Sequence, residues 1–170
     1  GERKFLRTGD LGFLHRGELF VTGRTKDLII IRGRNIYPQD VERIADQSHD
    51  ALRAHGAAAF SLETGVDEGL AVIQELEYRQ RPDLDQVIDA IREAIAETLE
   101  IQPTAVVLIK PGGLPRTSSG KVQRAEARRQ WQDGELAVLA QRRTHAAAAP
   151  CDQACAPACV DPAALRAITN

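Results

Sequence analysis

The clearest hydrophobic pattern in the chain predicts a helix over residues 84–99. Apolar residues recur there at steps of three and four, which places them on one helical face. Asp83 and Gln86 have the spacing of a capping box, a signal for a helix start. Weaker patterns predict a second helix over residues 39–47 and a basic helix over residues 123–131.

Short apolar runs between turn residues predict the strands. These runs cover residues 18–22, 28–31, 35–38, 57–62, 70–76 and 105–109. Gly65 and Gly69 lie in the predicted connection after residue 62. The order of strands and helices predicts an α+β fold, with a short β-hairpin and a three-stranded sheet packed with helices.

Composition and charge exclude several classes of protein. The 170 residues suffice for one ordinary domain, or for a small domain with an appendage. With 22 Lys and Arg against 24 Asp and Glu, the chain offers no overall charge for a nucleic-acid partner. No apolar run approaches the roughly 18 residues that span a bilayer. We therefore expect no membrane span, a cytoplasmic location and, since Met is absent, a fragment of a longer chain.

The last residues differ in composition from the rest of the chain. Residues 145–170 are rich in Ala and Pro, which is typical of a linker. Cys151, Cys155 and Cys159 follow one another at steps of four. This spacing matches neither a paired zinc motif nor a disulfide framework, so we expect reduced thiols and no metal site.

A polar, glycine-rich segment that ends in a cation is the most informative local feature. We call residues 111–121 the lysine loop; its second half reads PRTSSGK over residues 115–121. Gly permits close backbone approach to an anionic ligand, and Lys supplies a mobile charge. A P-loop is excluded, because Pro115 replaces the first Gly and Val122 replaces the Mg²⁺-binding Ser or Thr. A solvated basic loop remains the alternative.

Two further segments are weak signals taken singly. Asp10 lies in Thr-Gly-Asp-Leu-Gly, a tight-turn sequence whose carboxylate can accept hydrogen bonds from ribose hydroxyls. Charged residues flank the apolar run 28–31, with GRTKD before it and RGRN after it. Each segment alone is compatible with an ordinary surface turn.

In this order and spacing, these segments resemble the C-terminal part of the adenylate-forming enzymes, and most closely the fatty acyl-AMP ligases. The resemblance covers roughly residues 3–140. It rests on FLRTGDLGF at 5–13, GELFVTGR at 17–24 and KDLIIIRGRNIYPQDVE at 26–42, together with the lysine loop.

The resemblance implies a role for three residues at the nucleotide. Lys121 would be the catalytic lysine that contacts the substrate carboxylate and the α-phosphate of ATP. Asp10 would bind the ribose hydroxyls of ATP and of the acyl-adenylate, and Arg24 would lie near the ribose and the phosphate.

The resemblance also implies moving parts and a domain organisation. Lys26 and Asp27 would form the hinge, and Gly33 and Arg34 the loop that serves the second half-reaction. Residues 1–25 would end a large N-terminal domain, and 26–144 would form a small mobile C-terminal lid domain. Residues 145–170 would form a linker that could lead to a carrier-protein domain.

The implied function is activation of a fatty acid with ATP to an acyl-adenylate, with release of pyrophosphate. The acyl group would pass to the phosphopantetheine thiol of an acyl carrier protein, and Mg²⁺ would be held mainly by the N-terminal domain. The chain alone is expected to be inactive. Alternatives are an acyl-CoA synthetase or another AMP-forming ligase, and a non-catalytic module that docks a carrier protein through the basic helix.

Overall fold

The computed structural model describes residues 6–63, 68–77 and 82–144, which hold the following elements. The strands are β1 (Asp10–His15), β2 (Glu18–Arg24), β3 (Ile29–Ile31), β4 (Arg34–Ile36), β5 (Leu52–Glu63), β6 (Glu68–Leu76), β7 (Ala105–Ile109) and β8 (Val138–Arg143). The helices are α1 (Pro38–Gln47), α2 (Leu84–Leu99) and α3 (Arg124–Gln132), and a 3-10 turn covers Thr25–Asp27. The predicted α+β class is confirmed.

The main sheet has the strand order β5-β6-β7-β8. Strands β6 and β7 are parallel, and the other neighbours are antiparallel. Helix α2 makes the crossover between the parallel pair, as such a pair requires. Every residue of β7 is buried, because helices cover both faces of the sheet.

Two apolar clusters fill the space between the main sheet and the helices. One cluster joins α1 and α2 to one face, with Val41, Ile88 and Leu108 among its buried members. The other joins α3 to the opposite face, where Ile73 and Trp131 are buried. The α3 helix therefore lies across the sheet from α1 and α2.

Helix α2 has the bounds that its apolar spacing predicts. Val87, Ile88, Ile91 and Ile95 form its buried face. The Asp83 carboxylate accepts hydrogen bonds from the backbone N–H groups of residues 85 and 86, so it caps the helix as predicted.

The short strands β3 and β4 form a hairpin with a two-residue turn. Arg32 and Gly33 occupy this turn with φ of 50° and 74°, the left-handed values that such a tight turn requires. Ile29 and Ile36 face each other across the hairpin and belong to the α1/α2 cluster. The hairpin is thus part of the core, although its turn is exposed.

Strands β1 and β2 form a separate hairpin, and β1 was not predicted. Asp10 is the first residue of β1 and follows Gly9 at φ 77°, so the expected tight turn lies just before the carboxylate. Phe13 and Phe20 stack across the hairpin with ring centroids 5.2 Å apart. Apolar side chains here are largely exposed.

The sheet differs from the prediction in two details. Within the described residues it has four strands rather than three, because β8 adds to the free edge of β7. Gly69 belongs to β6 rather than to the connection, since it pairs with Leu62 of β5. A side chain at Gly69 would collide with Thr104. The predicted linker 145–170 and the three cysteines lie outside the described residues.

Candidate functional site

A large open cleft collects most of the residues singled out from the sequence. It has a volume of about 1460 Å³ and lies between the end of β2, α1, the lysine loop and the start of α3. Arg24, Lys26, Asp27 and Lys121 all line it. Residues almost a hundred positions apart in the chain are therefore brought to one surface.

The lysine loop ends in a tight hairpin that presents Lys121. The N–H of Thr117 donates to the carbonyl of Lys121 at 2.8 Å, and the N–H of Gly120 donates to the Thr117 carbonyl at 2.9 Å. The N–H of Lys121 donates in turn to Thr117 Oγ1 at 3.0 Å. The backbone at Lys121 is thus fixed by hydrogen bonds, whereas its side chain is exposed.

The ammonium group of Lys121 is available to a ligand. Among the described residues, no carboxylate lies within ion-pair distance of it, and the same holds for Lys26. Each lysine is therefore a mobile cation at the edge of the cleft. Such a group can neutralise phosphate or carboxylate oxygens.

A bidentate ion pair forms the wall of the cleft next to the lysine loop. Arg124 Nε and Nη2 lie 2.6 and 2.7 Å from the two carboxylate oxygens of Glu42 on α1. Arg124 Nη1 also lies 3.7 Å from Asp27 Oδ2 in the 3-10 turn. The hydrogen bonds with Glu42 raise the pKa of Arg124 above its usual value.

Glu42 is held from a second side as well. Its Oε1 accepts a hydrogen bond of 3.0 Å from the N–H of Ala59 on the edge strand β5. The start of α3 is therefore joined through one carboxylate to both α1 and the main sheet. This joint lies three residues after Lys121.

Asp10 and Arg24 face each other at the open end of the β1–β2 hairpin. They are cross-strand partners, and Arg24 Nε donates to Asp10 Oδ1 at 3.2 Å. Both side chains are exposed to a large degree. Arg24 lines the cleft and Asp10 does not, so the pair offers a cation to the cleft and an acceptor beside it.

The 3-10 turn that holds Lys26 and Asp27 connects the hairpin to the rest of the fold. The N–H of Thr25 donates to the Gly9 carbonyl at 2.9 Å. Gln39 Nε2, at the start of α1, donates to the Thr22 carbonyl at 2.5 Å. Together with the ion pair between Asp27 and Arg124, these bonds hold the turn, while the side chain of Lys26 is exposed.

The predicted second-half-reaction residues lie elsewhere. Gly33 lies in the β3–β4 turn and Arg34 is the first residue of β4, and neither lines the cleft. Arg34 Nη1 lies 3.6 Å from Glu100 Oε2, and both side chains are exposed. The structure therefore does not bring these two residues to Lys121.

Sequence reasoning did not identify the residues that support the lysine loop. Glu42 and Arg124 occupy helical positions that resemble ordinary surface charges, and their pairing spans 82 residues. One supporting residue, the buried Glu75 in β6, could have been noticed in the sequence, because its carboxylate interrupts the apolar run of residues 70–76. Its partners lie too far away in sequence to be inferred.

Residues 6–63, 68–77 and 82–144 contain no group of three or more His, Cys, Asp or Glu suited to a metal ion. In the same ranges, no helix is both long and apolar enough to cross a membrane.

Comparison with known proteins agrees with the geometry of the fold and the cleft. A sequence model of the family described as "Disco-interacting protein 2-like, AMP domain" matches residues 26–141. The chain is 51% identical over 138 residues to the medium-chain-fatty-acid–[acyl-carrier-protein] ligase of Moorena producens, covering 80% of this chain and 23% of that protein. It is 37% identical over 153 residues to the long-chain-fatty-acid–AMP ligase of Mycolicibacterium smegmatis, covering 78% and 24%.

A solved structure gives the same result in three dimensions. It comes from work on fatty acyl-adenylate ligases from E. coli and L. pneumophila and superposes with a TM-score of 0.64 at 41% identity. The match covers 76% of this chain and 22% of that one. The chain spans about a quarter of the length of each of these relatives.

Fold and relatives together define a C-terminal domain of the adenylate-forming, fatty acyl-AMP ligase type. The chain belongs to the AMP-domain family of Disco-interacting protein 2-like proteins.

Proposed function

We propose that this chain is the mobile C-terminal domain of a fatty acyl-AMP ligase, with residues 1–25 ending a large N-terminal domain. The observation that carries the proposal is the meeting of Arg24, Lys26 and the unpaired Lys121 at one cleft. The names of the relatives from Moorena producens and Mycolicibacterium smegmatis support fatty acids as substrates.

Lys121 carries the first half-reaction. An oxygen of the fatty acid carboxylate attacks the α-phosphorus of ATP, and the bond to the pyrophosphate leaving group breaks. Two anionic groups must approach each other, and charge builds on the phosphoryl oxygens. The Lys121 ammonium offsets this charge in a cleft that domain closure shields from water. Mg²⁺ accompanies ATP as its counter-ion, and we assign it no ligand in this chain.

Asp10 and Arg24 bind the nucleotide. The Asp10 carboxylate accepts hydrogen bonds from the ribose hydroxyls, and the Arg24 guanidinium lies beside the ribose and the phosphate. Their 3.2 Å ion pair supports this, because it holds a carboxylate and a guanidinium side by side.

Lys26 and Asp27 form the hinge for the second half-reaction. The thiol of a phosphopantetheine arm attacks the acyl carbonyl, and AMP leaves. Rotation about the hinge withdraws Lys121 and brings Gly33 and Arg34 towards the thiol. Two observations support this: the β3–β4 turn lies outside the cleft, and the side chain of Lys26 is exposed in the short turn that joins the hairpin to the rest of the fold.

The acceptor in this proposal is an acyl carrier protein, as in the name of the Moorena producens relative. The proposal is tested with the complete protein, given fatty acid and ATP with either coenzyme A or a phosphopantetheinylated carrier protein. We expect acyl-carrier protein to accumulate. Efficient formation of acyl-CoA would identify an acyl-CoA synthetase instead.

Replacement of the lysine tests catalysis itself. Lys121→Ala in the complete protein is expected to lower the rate of acyl-adenylate formation by about a hundredfold or more. Lys110→Ala is the matched control, because Lys110 precedes the loop and does not line the cleft. Full adenylation by Lys121→Ala would refute the assignment.

The chain alone provides a further test. We expect no detectable adenylation by the 170 residues, because most of the relatives' length lies outside the match. Robust turnover would contradict the division of the site between two domains. Tight carrier binding by the chain alone, unchanged by Lys121→Ala, would favour the non-catalytic docking module.

A further inference from the structure

Glu75 is a buried carboxylate that the proposed chemistry does not use. It lies near the end of β6, and its side chain has 0% exposed surface. A carboxylate removed from water is costly unless charges and hydrogen bonds compensate it. An apolar residue at this strand position would avoid this free-energy cost. The role of Glu75 must therefore lie in the groups that its carboxylate contacts.

Most of the partners of Glu75 lie on the lysine loop. Its Oε1 accepts a hydrogen bond of 2.9 Å from the N–H of Leu114. Its Oε2 lies 3.5 Å from Arg116 Nη2 and 3.1 Å from Arg53 Nη1. Leu114 and Arg116 are the last residues before the hairpin that presents Lys121.

Arg116 extends this anchor to the residue before the lysine. Its Nη1 donates to the Gly120 carbonyl at 3.2 Å, and its Nη2 donates to the His55 carbonyl at 2.8 Å. The pairing of β5 with β6 is interrupted by a bulge between Leu52 and Ala57, and His55 lies in it. One guanidinium therefore links the buried carboxylate, this β5 bulge and the peptide group of Gly120 and Lys121.

Apolar packing cannot replace these polar contacts. Leu114 is buried in the α3-side cluster, but residues 117–121 are exposed and contribute nothing to it. The direction in which the hairpin points is thus determined by hydrogen bonds and ion pairs. Loss of the charge on Glu75 leaves the strand filled but the hairpin free to shift.

We propose that Glu75 is a positioning residue for Lys121. Through Leu114 and Arg116 it holds the lysine loop so that the Lys121 ammonium meets the reacting carboxylate and α-phosphate. This inference rests on the proposed function, because it assigns Glu75 to the one step that uses the lysine. Displacement of a catalytic group by about 1 Å costs about a hundredfold in rate.

The test compares three variants of the complete protein. Glu75→Gln retains the shape of the side chain and an acceptor for Leu114, but it removes the charge that binds Arg116. Arg116→Gln removes the partner on the loop. Arg53→Gln is the matched control, because Arg53 binds the same Oε2 but lies on β5.

We expect kcat for acyl-adenylate formation to fall about tenfold to a hundredfold in Glu75→Gln and Arg116→Gln, with KM for ATP little changed. The double variant should be no worse than either single one, because both remove the same link. Arg53→Gln should retain wild-type kcat. Transfer of the acyl group from preformed acyl-adenylate to the thiol should be unchanged in all three.

A second measurement uses the chain alone. In Glu75→Gln we expect faster amide hydrogen exchange at Thr117, Gly120 and Lys121, and unchanged exchange in α2. Wild-type adenylation by Glu75→Gln, or an equal loss in both half-reactions with a lower Tm, would overturn the inference. If Lys121→Ala retains adenylation, the proposed function fails, and the inference fails with it. If Lys121→Ala is defective but Glu75→Gln and Arg116→Gln adenylate normally, the inference fails and the proposed function stands.

Discussion

The β1–β2 hairpin and the main sheet both consist of paired strands, but the main sheet buries its apolar side chains and the hairpin exposes them. In the main sheet, Ile73 and Leu108 are fully buried between helices. In the hairpin, Phe13 and Phe20 are 54% and 42% exposed although they stack on each other. The two apolar clusters of the described residues contain no member of the hairpin.

The buried residues of the main sheet stabilise the domain by themselves, whereas the apolar residues of the hairpin need contact with another surface to be buried. The main sheet closes its own core, which fits the family match over residues 26–141. The hairpin precedes that match and leaves apolar side chains in water, as expected for a piece that packs on further chain. The 3-10 turn with Lys26 lies at the boundary, where we propose the hinge.

The largest expected effect is the loss of a core side chain from the main sheet. Ile73→Ala deletes fully buried atoms between β6 and α3 and should lower the free energy of unfolding by about 2–5 kcal/mol. Urea denaturation of the chain, followed by circular dichroism, measures this loss. A change below about 1 kcal/mol would mean that this face is not a packed core.

A smaller loss is expected where β5 bulges beside Glu75. A Cβ at Gly56 would lie 2.7 Å from the Arg53 carbonyl and 3.1 Å from Glu75 Cβ. Gly56→Ala must therefore shift backbone atoms, and we expect about 1–3 kcal/mol of destabilisation. Gly112→Ala is unsuitable as a control, because the φ of 77° at Gly112 itself favours glycine. The control is Ala54→Gly, at an exposed position two residues before Gly56.

The α2 cap should contribute less. Asp83→Ala removes the acceptor for two N–H groups at the helix start and should cost about 1 kcal/mol in unfolding free energy. Asp83→Ser retains an acceptor and should restore most of the stability. Equal stabilities of the Ala and Ser variants would contradict the capping role.

The smallest effect is expected in the hairpin, and it tests the comparison directly. Phe13→Ala should change the unfolding free energy of the chain by less than about 0.5 kcal/mol, because Phe13 is outside both clusters. In the complete protein the same substitution should lower Tm by several degrees if another domain covers the hairpin. Equal small effects in both proteins would show that the hairpin remains uncovered.

Elements with a strong local pattern could be predicted from the sequence. The α2 helix combines an apolar stripe with an N-cap, so its bounds follow without knowledge of the rest of the fold. The β8 strand has no such signal: three apolar residues are followed by three polar ones, none is fully buried, and the strand forms because it pairs with β7. Tertiary pairing rather than local preference decides such an edge strand.

The residues of the candidate site also fall into those that could be predicted from the sequence and those that could not. Lys121, Arg24 and Asp10 lie in short motifs that carry a family resemblance, whereas the fold brings Lys121 and Arg24 to one cleft and pairs Asp10 with Arg24. No role could be assigned to Glu75 from the sequence, because its role depends on contact with Arg116, which is 41 residues away in the chain. A resemblance identifies the groups that contact a substrate more readily than those that hold them in place.

The position of β8 at the end of the described chain has a consequence for synthesis on the ribosome. Trp131 of α3 donates its indole N–H to Gln141 at 3.2 Å, and Arg143 lies 4.5 Å over its ring. Both partners belong to β8 and leave the ribosome after the lysine loop. At about 5–20 residues per second, Lys121 is thus translated roughly one to four seconds before the strand that secures the helix behind it.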